Sequence, residues 1–365
     1  MKYLGFAALL FVLSTTSDAK PINSSNLLLS GNLITNEQAS SYDFSAVEYL
    51  QPLVAQLKQG QAVSEQQWQE LYALSAYQLI FTISSLRPEQ LTQRYQIAFN
   101  PNESAVFETL DESEQFEVLH LRRAFADLRW LSQYQQWLIE QDALTNSKAL
   151  ALRYLPAFDV DAHKVQFMFA LFGQNAHAAE IGVVMDAYTS YLSDQLAPFE
   201  LAAHELHHFF YGIIHPNGLL DVNNPFERVL YHVQKEGIAN LIDKHNFSDA
   251  DSPYAESLKR QFAEQMSLAP THIKQLDLLL SNALAEPQRA EFMTFQQALP
   301  FWGHIVGWYI CRTIVQAGES VALIETLNQP HQLFALYNNV VEQHQLKQPQ
   351  FSQAVVDYYV LLSQQ

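Results

Sequence analysis

Residues 201–211 contain three side chains whose types and spacing suit a catalytic zinc ion. His204 and His208 are four positions apart, so a helix would direct both imidazoles at a single metal ion from one face. Glu205 follows the first histidine and would lean toward the same metal, where its carboxylate can accept a proton from metal-bound water. The pattern His-Glu-x-x-His therefore predicts zinc hydrolase chemistry with Glu205 as the general base.

The residues around this pattern predict a buried helix. Pro198 and Glu200 suit a first helical turn, and residues 215–218, His-Pro-Asn-Gly, end the run. Between residues 201 and 214 the only acidic residue is Glu205, and nearly all the others are apolar or histidine. Burying these imidazoles and this carboxylate without a partner is unfavourable, and a zinc ion supplies that partner. The alternative is a helix of packed histidines without metal.

Catalytic zinc usually has three protein ligands, so the sequence should supply one more. Glu236 lies 236 − 208 = 28 residues after the second histidine, within residues 229–243, which have helical apolar spacing. This interval allows the first helix to end and a second helix to return antiparallel beside it. Gly237 and Ala239 would let that second helix approach closely. Glu236 is therefore predicted to be the third ligand, the alternative being a solvent-exposed helical glutamate.

Together these motifs resemble those of the gluzincin metallopeptidases, in which His-Glu-x-x-His is followed by a glutamate ligand on a later helix. A closer resemblance is to a group of secreted zinc-dependent peptidases with a His-Glu-x-His-His core and a downstream Glu-Gly-x-Ala. The resemblance covers roughly residues 160–315. It implies that His204, His208 and Glu236 bind Zn²⁺ and that Glu205 is the base.

The gluzincin resemblance implies a supporting residue one helical turn after the glutamate ligand. Gluzincins often have an aspartate there that hydrogen-bonds a ligating histidine, and in this chain the residue is Asn240. An amide oxygen can also accept from an imidazole N–H, but it polarises the ring less than a carboxylate does. Asn240 is therefore predicted to orient a ligating histidine.

The resemblance also implies a strand before the active helix that binds extended peptide along its edge. Residues 165–172 and 180–185 are β-rich runs, and either would fill this role. Residues 173–179, which join the two runs, contain Gly and Asn and are typical of a turn or open loop.

Peptidases of this clan use a His or Tyr to stabilise the oxyanion that forms during hydrolysis, and His304 is the candidate here. It lies within residues 300–312, where Pro300 is expected to start a helix. Gly303 and Gly307 would form a thin helix face for close packing. The alternative is a core histidine with an internal hydrogen bond.

Neighbouring residues are further candidates or have a structural interpretation. Tyr309 and Tyr231 are weaker candidates for the oxyanion role. His207 is one position off the ligand face and is expected to support a ligating residue or to pack inside the protein, whereas His215 is expected to cap the helix or lie at the surface. Cys311 is the only cysteine, so no internal disulfide is expected and this residue is predicted to lie in the core.

The first residues have the layout of a secretory signal peptide. Lys2 precedes an apolar run, residues 3–13, and Ser17-Asp18-Ala19 resembles a cleavage site. Cleavage near Ala19 would export the chain to the periplasm or the medium, the alternative being an N-terminal core helix. The apolar run is too short to span a bilayer, and no later stretch predicts a membrane span in the mature chain.

The net charge of the chain is -18, and no segment offers a dense cationic surface. This balance argues against nucleic acid and anionic membranes as partners, because nothing would pair with their phosphates. A peptide or protein substrate is the expected partner, and the sequence leaves the oligomeric state open.

The expected fold class is mainly α (α+β) and gluzincin-like. It comprises a helical N-terminal region, a small β-sheet before the zinc helix and a helical C-terminal region. The expected domain limits are 1–19 for the signal peptide, 20–155 for a helical N-terminal subdomain and 156–365 for the catalytic subdomain. Capping-box spacing predicts helix N-caps at Ser45 and Ser64.

These expectations converge on an exported zinc metallopeptidase in which Glu205 activates water for attack on a peptide carbonyl. Two alternatives remain open: a non-catalytic, zinc-stabilised binding or scaffold protein, and a zinc hydrolase of non-peptide amides. The presence of Glu205 argues against a scaffold, because a structural zinc site needs ligands but no base.

Overall fold

The computed structural model of the protein describes residues 41–160, 162–216, 218–245, 247 and 256–364. The predicted signal peptide and its cleavage position lie outside the described residues. Export therefore stays a prediction.

Helices make up most of the described structure, and four short strands form a sheet. The strands are β1 (Tyr42–Asp43), β2 (Phe167–Ala170), β3 (Ala176–Ala179) and β4 (Gly182–Asp186). The helices before the sheet are α1 (Ser45–Lys58), α2 (Glu65–Tyr72), α3 (Ser75–Ile83), α4 (Pro88–Phe99), α5 (Ser104–Phe107), α6 (Glu112–Ala124), α7 (Arg129–Glu140) and α8 (Ala143–Ala151). The helices after it are α9 (Ala187–Asp194), α10 (Glu200–Ile214), α11 (Pro225–Asp243), α12 (Glu256–Ser267), α13 (Ala269–Ala283), α14 (Phe292–Gln296), α15 (His304–Gln316), α16 (Ser320–Glu325), α17 (Leu333–Gln343) and α18 (Gln353–Leu362). The prediction of a mainly α (α+β) fold with a small sheet before the zinc helix is confirmed.

Contacts among the described residues divide the chain into two compact units. The first unit takes the described residues within 1–148, 161–209 and 251–258, and the second those within 149–160, 210–250 and 259–365. The predicted subdomain limits stay predictions, since a unit of contacts need not be one continuous segment. Among the helices of the described chain, none combines the length and apolarity needed to cross a membrane.

The sheet belongs to the first unit and has the order β1-β2-β4-β3. β2 and β4 pair in parallel, with Phe167 opposite Val183, and β3 pairs antiparallel with β4. Both predicted edge runs, residues 165–172 and 180–185, therefore contain internal strands, and the expectation that one of them is the edge is wrong. The expected turn or loop at residues 173–179 is also wrong, because this segment contains β3, which lies at one edge of the described sheet, with β1 at the other.

β3 forms a strand because of the connection that the sheet requires. Two adjacent parallel strands cannot be joined by a tight turn, and here the chain returns along β3 before β4 pairs between β2 and β3. Glu180 and Ile181 form the two-residue connection to β4, and Gly182 follows with a φ of 145°. The alanine-rich sequence of β3 has weak β-propensity, so its pairing partner and not its composition determines its conformation.

The two predicted N-caps have different outcomes. Ser64 caps α2 as predicted, because its hydroxyl accepts from the backbone N–H of Gln67 and the Gln67 side chain accepts from the N–H of Ser64. Ser45 is instead the first residue of α1, whose N-cap is Phe44. The N–H of Ser45 donates to the carboxylate of Asp43, so the acceptor lies two residues before the predicted one.

A buried ion pair links α6 to the sheet in the first unit. The Nε2 atom of His120 lies 2.8 Å from the Oδ1 atom of Asp186, and both side chains are fully buried. Asp186 also accepts from the backbone N–H groups of Phe172, Gly173 and Thr189. This carboxylate therefore holds the ends of β2 and β4 together and caps α9.

In the second unit, α11 and α15 cross with their backbones in contact. A Cβ atom on Gly237 would lie 2.5 Å from the carbonyl carbon of Gly307, and a Cβ on Gly307 would overlap the carbonyl oxygen of Val233. Neither position accepts a larger residue without moving a helix. The predicted thin face at Gly307 is confirmed, whereas the close approach at Gly237 is to α15 and the predicted approach to the helix of His204 and His208 stays a prediction.

Candidate metal centre

α10 carries the two predicted histidine ligands on one face. The Nε2 atoms of His204 and His208 lie 3.1 Å apart, and the ring centroids are 4.8 Å apart with the rings edge to face. Tetrahedral zinc with Zn–N bonds of about 2.0–2.1 Å would separate two nitrogen ligands by about 3.3 Å. Helical spacing therefore places these imidazoles at a separation that fits zinc.

Glu236 of α11 completes the predicted ligand set. His204, His208 and Glu236 each offer one ligand atom, and these atoms all lie within 4.8 Å of one another. Among the residues that the structure describes, this is the one group of three His, Cys, Asp or Glu side chains that could hold a metal ion. Two imidazole nitrogens and a carboxylate oxygen suit zinc, and three protein ligands leave a fourth position for substrate or water.

Glu205, the predicted base, is buried in the same turn of α10. It is 7 % exposed, and the adjacent ligand His204 is 4 % exposed. Limited access for bulk water strengthens electrostatic interactions and restricts which groups can exchange protons with the carboxylate. The environment of Glu205 is therefore compatible with a general base.

Local sequence signals position α11 for its part in the site. Asn224 caps the helix by accepting from the backbone N–H of Phe226, and Pro225 is its first residue. Gly237 lies at the crossing with α15, where the backbones touch. Glu236 precedes this residue, so the crossing also fixes the backbone of the ligand.

His304, the predicted oxyanion donor, contacts the glutamate ligand. Its Nε2 atom lies 3.3 Å from the Oε2 atom of Glu236, and the two side chains are 27 % and 14 % exposed. Its Nδ1 atom lies 3.2 Å from the Oδ1 atom of Asn240. Both nitrogens of this ring are therefore held by residues of α11, and the role of His304 in catalysis stays a prediction.

Asn240 orients His304 through two hydrogen bonds. Its Nδ2 atom donates to the backbone carbonyl of His304 at 3.1 Å, which leaves its Oδ1 atom to accept from the Nδ1–H of the ring. This geometry assigns the proton on Nδ1 and directs Nε2 toward Glu236. Asn240 thus supports the histidine that contacts Glu236, and its predicted support of a ligating histidine stays a prediction.

The segment before His304 is not the helix start that Pro300 predicts. Phe301, Trp302 and Gly303 have φ angles of 53°, 55° and 95°, so three consecutive residues are left-handed. α15 begins at His304 with Gly303 as its N-cap. The prediction is wrong because a left-handed turn separates Pro300 from the start of α15. Proline at position 300 gives no indication of this turn.

One residue near the site, His232, was not found by sequence reasoning. His232 lies one turn before Glu236 on the same face of α11, and burial lowers the pKa of its imidazole to about 4. Its ring centroid lies 5.8 Å from that of Trp302 and 5.3 Å from that of Phe292. The four-residue interval between His232 and Glu236 could have indicated that His232 shares a helix face with Glu236.

The two tyrosine alternatives lie on the crossing helices. The ring of Tyr231 contacts that of His232 at 5.5 Å and lies 5.4 Å from the ammonium of Lys235. Tyr309 lies on α15, and burial raises the pKa of its hydroxyl.

Three other sequence predictions concern packing. His207 is fully buried, with its ring centroid 6.0 Å from that of His208, as expected for a packed residue. His215 follows α10 and packs its ring against Tyr211 at 4.9 Å, consistent with a residue at the helix end. Cys311 is fully buried, which confirms its assignment to the core.

Comparison with known proteins identifies the family. A family model described as "Putative zinc dependent peptidase (DUF5700)" matches residues 68–346, well over half of the chain. The chain therefore belongs to this family. No curated protein and no solved structure gives a significant match.

Proposed function

We propose that this member of the zinc-dependent peptidase family is a metallopeptidase that uses His204, His208 and Glu236 as zinc ligands and Glu205 as its base. The observation that carries the proposal is the convergence of the three ligand atoms within 4.8 Å, with Glu205 next to the first ligand in the same helix. This arrangement of a His-Glu-x-x-His helix and a later glutamate is that of the gluzincins.

The chemistry divides between the metal and the chain. When bound, zinc polarises the scissile carbonyl and lowers the pKa of a water molecule. The Glu205 carboxylate accepts a proton from the attacking water and then transfers it to the nitrogen of the leaving amine, so the carboxylate is regenerated. One C–N bond breaks and one C–O bond forms, with no net change in the charge of Glu205.

His304 is proposed to stabilise negative charge on the carbonyl oxygen in its imidazolium form, because a ring whose Nδ1–H donates to Asn240 can also donate from Nε2 only when both nitrogens carry protons. Its Nε2 atom lies 3.3 Å from the glutamate ligand, and Asn240 fixes the ring from the other side. A donor held rigidly in this way needs little reorganisation during the reaction, which is the physical basis of oxyanion stabilisation.

The substrate backbone is proposed to bind along β3. This strand pairs with β4 on one side and is the last strand of the described sheet on the other. An edge strand presents backbone N–H and C=O groups that can pair with an extended peptide. The proposal moves the peptide-binding edge from the runs that the sequence favoured to residues 176–179.

The protein is proposed to act after export. The support is the sequence of residues 1–19, with its charged start, short apolar core and small residues near Ala19. Mass spectrometry of the protein from the periplasm or medium should find Lys20 at the N-terminus. An uncleaved chain in the cytosol would contradict export without affecting the proposed chemistry.

The decisive experiment is hydrolysis of a mixed peptide library by the purified, zinc-loaded protein. We expect cleavage that a chelator abolishes and that added zinc restores. Glu205→Gln keeps the shape of the side chain but removes the base, so it should retain zinc while turnover falls by at least about a hundredfold.

Glu264→Gln is a matched control, since it makes the same change at an exposed position of α12 and should leave turnover unaltered. Zinc binding without hydrolysis of any peptide or other amide would indicate the scaffold alternative. Hydrolysis restricted to non-peptide amides would indicate the other alternative.

A further inference from the structure

The left-handed turn at residues 301–303 exposes a large aromatic side chain. Trp302 is 42 % exposed, although its φ of 55° is unfavourable for a bulky residue. Residues held in such conformations persist only where the surrounding structure enforces them, and they are concentrated at ligand-binding and active sites. An exposed tryptophan in a strained backbone conformation therefore indicates a function other than packing in the hydrophobic core.

Contacts on both sides of Trp302 enforce the turn. The ring of Phe301 packs against Phe262 with centroids 6.0 Å apart. Gly303 lies so close to α11 that a Cβ there would be 3.1 Å from the carbonyl carbon of His232. His304, the next residue, is held by Asn240 and Glu236. The backbone is thus fixed before and after Trp302, and the indole lies at the tip of the turn.

The indole contacts the residue one helical turn before Glu236. Trp302 contacts His232 at 5.8 Å and stacks on Phe292 at 6.4 Å. His232 and Glu236 are four residues apart on one face of α11, which corresponds to about 6 Å along the helix axis. A substrate that reaches Glu236 therefore passes close to the indole.

The charges around the indole favour an apolar partner. The guanidinium of Arg228 lies 4.3 Å from the centre of the Phe292 ring on which Trp302 stacks. The ammonium of Lys235 lies over Tyr231, whose ring contacts His232. His232 interacts electrostatically with these two cations and with the one carboxylate of Glu236. The cations therefore outnumber the carboxylate and disfavour a cationic substrate side chain, whereas an aromatic or large aliphatic side chain can stack on the indole.

We propose that Trp302 forms the wall of a substrate side-chain subsite that selects an aromatic or large aliphatic residue next to the scissile bond. The inference rests on the proposed function, because it assigns a specificity-determining residue to the same site. Trp302 acts by contact with the substrate side chain and takes no part in proton transfer.

The test measures binding and so does not depend on turnover. Two dipeptide hydroxamates, which anchor on the metal, differ only in carrying Phe or Ala next to the hydroxamate. Their Kd values are measured by calorimetry on the zinc-loaded full chain. We expect the wild type to bind the Phe compound at least about tenfold more tightly than the Ala compound.

Trp302→Gly should bind the two compounds nearly equally. Glycine adopts the left-handed conformation without strain, so this variant should fold and keep its zinc, as shown by circular dichroism and metal content. Trp302→Phe retains a ring and should keep most of the preference. Gln345→Gly is the matched control, because it relieves a left-handed φ of 50° at an exposed position and should leave the preference at the wild-type value.

Equal preference in wild type and Trp302→Gly would overturn the subsite, as would tighter binding of a matched Lys compound. Loss of folding or zinc in Trp302→Gly, with both retained in Gln345→Gly, would mark the indole as structural and also overturn it. Failure of the proposed function is separate. It would appear as absent hydrolysis of peptides, whereas the Phe-to-Ala ratio would still report on Trp302.

Discussion

Two pairs of histidine and carboxylate in this protein have the same chemistry and different surroundings. In the first unit, His120 and Asp186 lie 2.8 Å apart and both are fully buried. In the second unit, His304 and Glu236 lie 3.3 Å apart and are 27 % and 14 % exposed. Asp186 accepts from three backbone N–H groups, whereas Glu236 offers an oxygen to the cluster with His204 and His208.

The difference shows what separates a structural pair from a functional one. The acceptor positions of Asp186 are occupied by the ring of His120 and by the backbone, so no ligand can approach it. Glu236 remains partly open and lies among other possible metal ligands. Residue types alone would rank the two pairs equally, and only their surroundings assign a role to each.

The largest expected effect is the loss of zinc from Glu236→Gln. The amide is a weaker, neutral ligand. Loss of a residue that merely hydrogen-bonds a metal ligand lowers metal affinity by about 10–100-fold, so loss of the ligand itself should lower zinc affinity by more. Equilibrium dialysis with elemental analysis measures this change. Glu227→Gln is the control, because Glu227 of the same helix pairs with His331 at 3.1 Å and is not in the metal cluster. Full zinc occupancy in Glu236→Gln would contradict the ligand assignment.

The next effect concerns the buried pair. His120→Ala would leave the Asp186 carboxylate buried without its charged partner, and stability should fall by about 3–5 kcal/mol. Urea unfolding measures the loss, and turnover per folded molecule should stay at the wild-type value. A variant with normal stability and reduced turnover would show that the buried pair has a functional role and would break the comparison.

The exposed pair should respond in the opposite way. His304→Ala should keep zinc and lose about a hundredfold in kcat, with little change in KM, because an oxyanion donor acts mainly in the transition state. Its unfolding midpoint should change less than that of His120→Ala. If the variant unfolds or turns over normally, His304 is a core residue, and Tyr309 and Tyr231 become the next variants to measure.

The smallest expected effect concerns Asp194, a buried carboxylate in the first unit. Unlike Asp186, which pairs with a histidine, it accepts hydrogen bonds from neutral donors. Asp194 accepts from the hydroxyl of Tyr134 and the backbone N–H of Phe199, and burial raises its pKa from 3.8 to about 6. The folded protein therefore binds this proton more tightly than the unfolded chain does. The resulting stability is fully present below pH 3.8 and is lost as pH rises through about 6.

From pH 4 to pH 7 this group should remove roughly 2 kcal/mol of stability. The measurement is the difference between wild type and Asp194→Asn in urea unfolding across this range, since the amide cannot titrate. A difference that stays constant with pH would show that Asp194 does not have the raised pKa.

Much of the fold and of the site followed from local patterns. The mainly α fold with a small sheet, the capping box at Ser64 and the thin face at Gly307 were all predicted. The grouping of His204, His208 and Glu236 was predicted as well, and the structure brings them together. These features depend on helical period, on the chemistry of caps and on side-chain size, which short segments carry by themselves.

Other features could not be predicted because they depend on partners distant in the chain. β3 is a strand only because β4 pairs with it, and its alanines give no signal of their own. The left-handed turn at residues 301–303 is imposed by packing against α11 and Phe262, against the preference of Phe and Trp. No local pattern carries information about such contacts.

The sequence by itself determined a helix that presents His204 and His208 on one face with Glu205 beside them, because residues four apart on a helix face the same way wherever the helix lies. Only the tertiary structure decided which histidine contacts Glu236, which strands lie at the edges of the described sheet, and which histidine–carboxylate pair is fully buried. The physical reason is that distances and solvent access between separate segments arise from packing, and packing is a property of the whole folded chain.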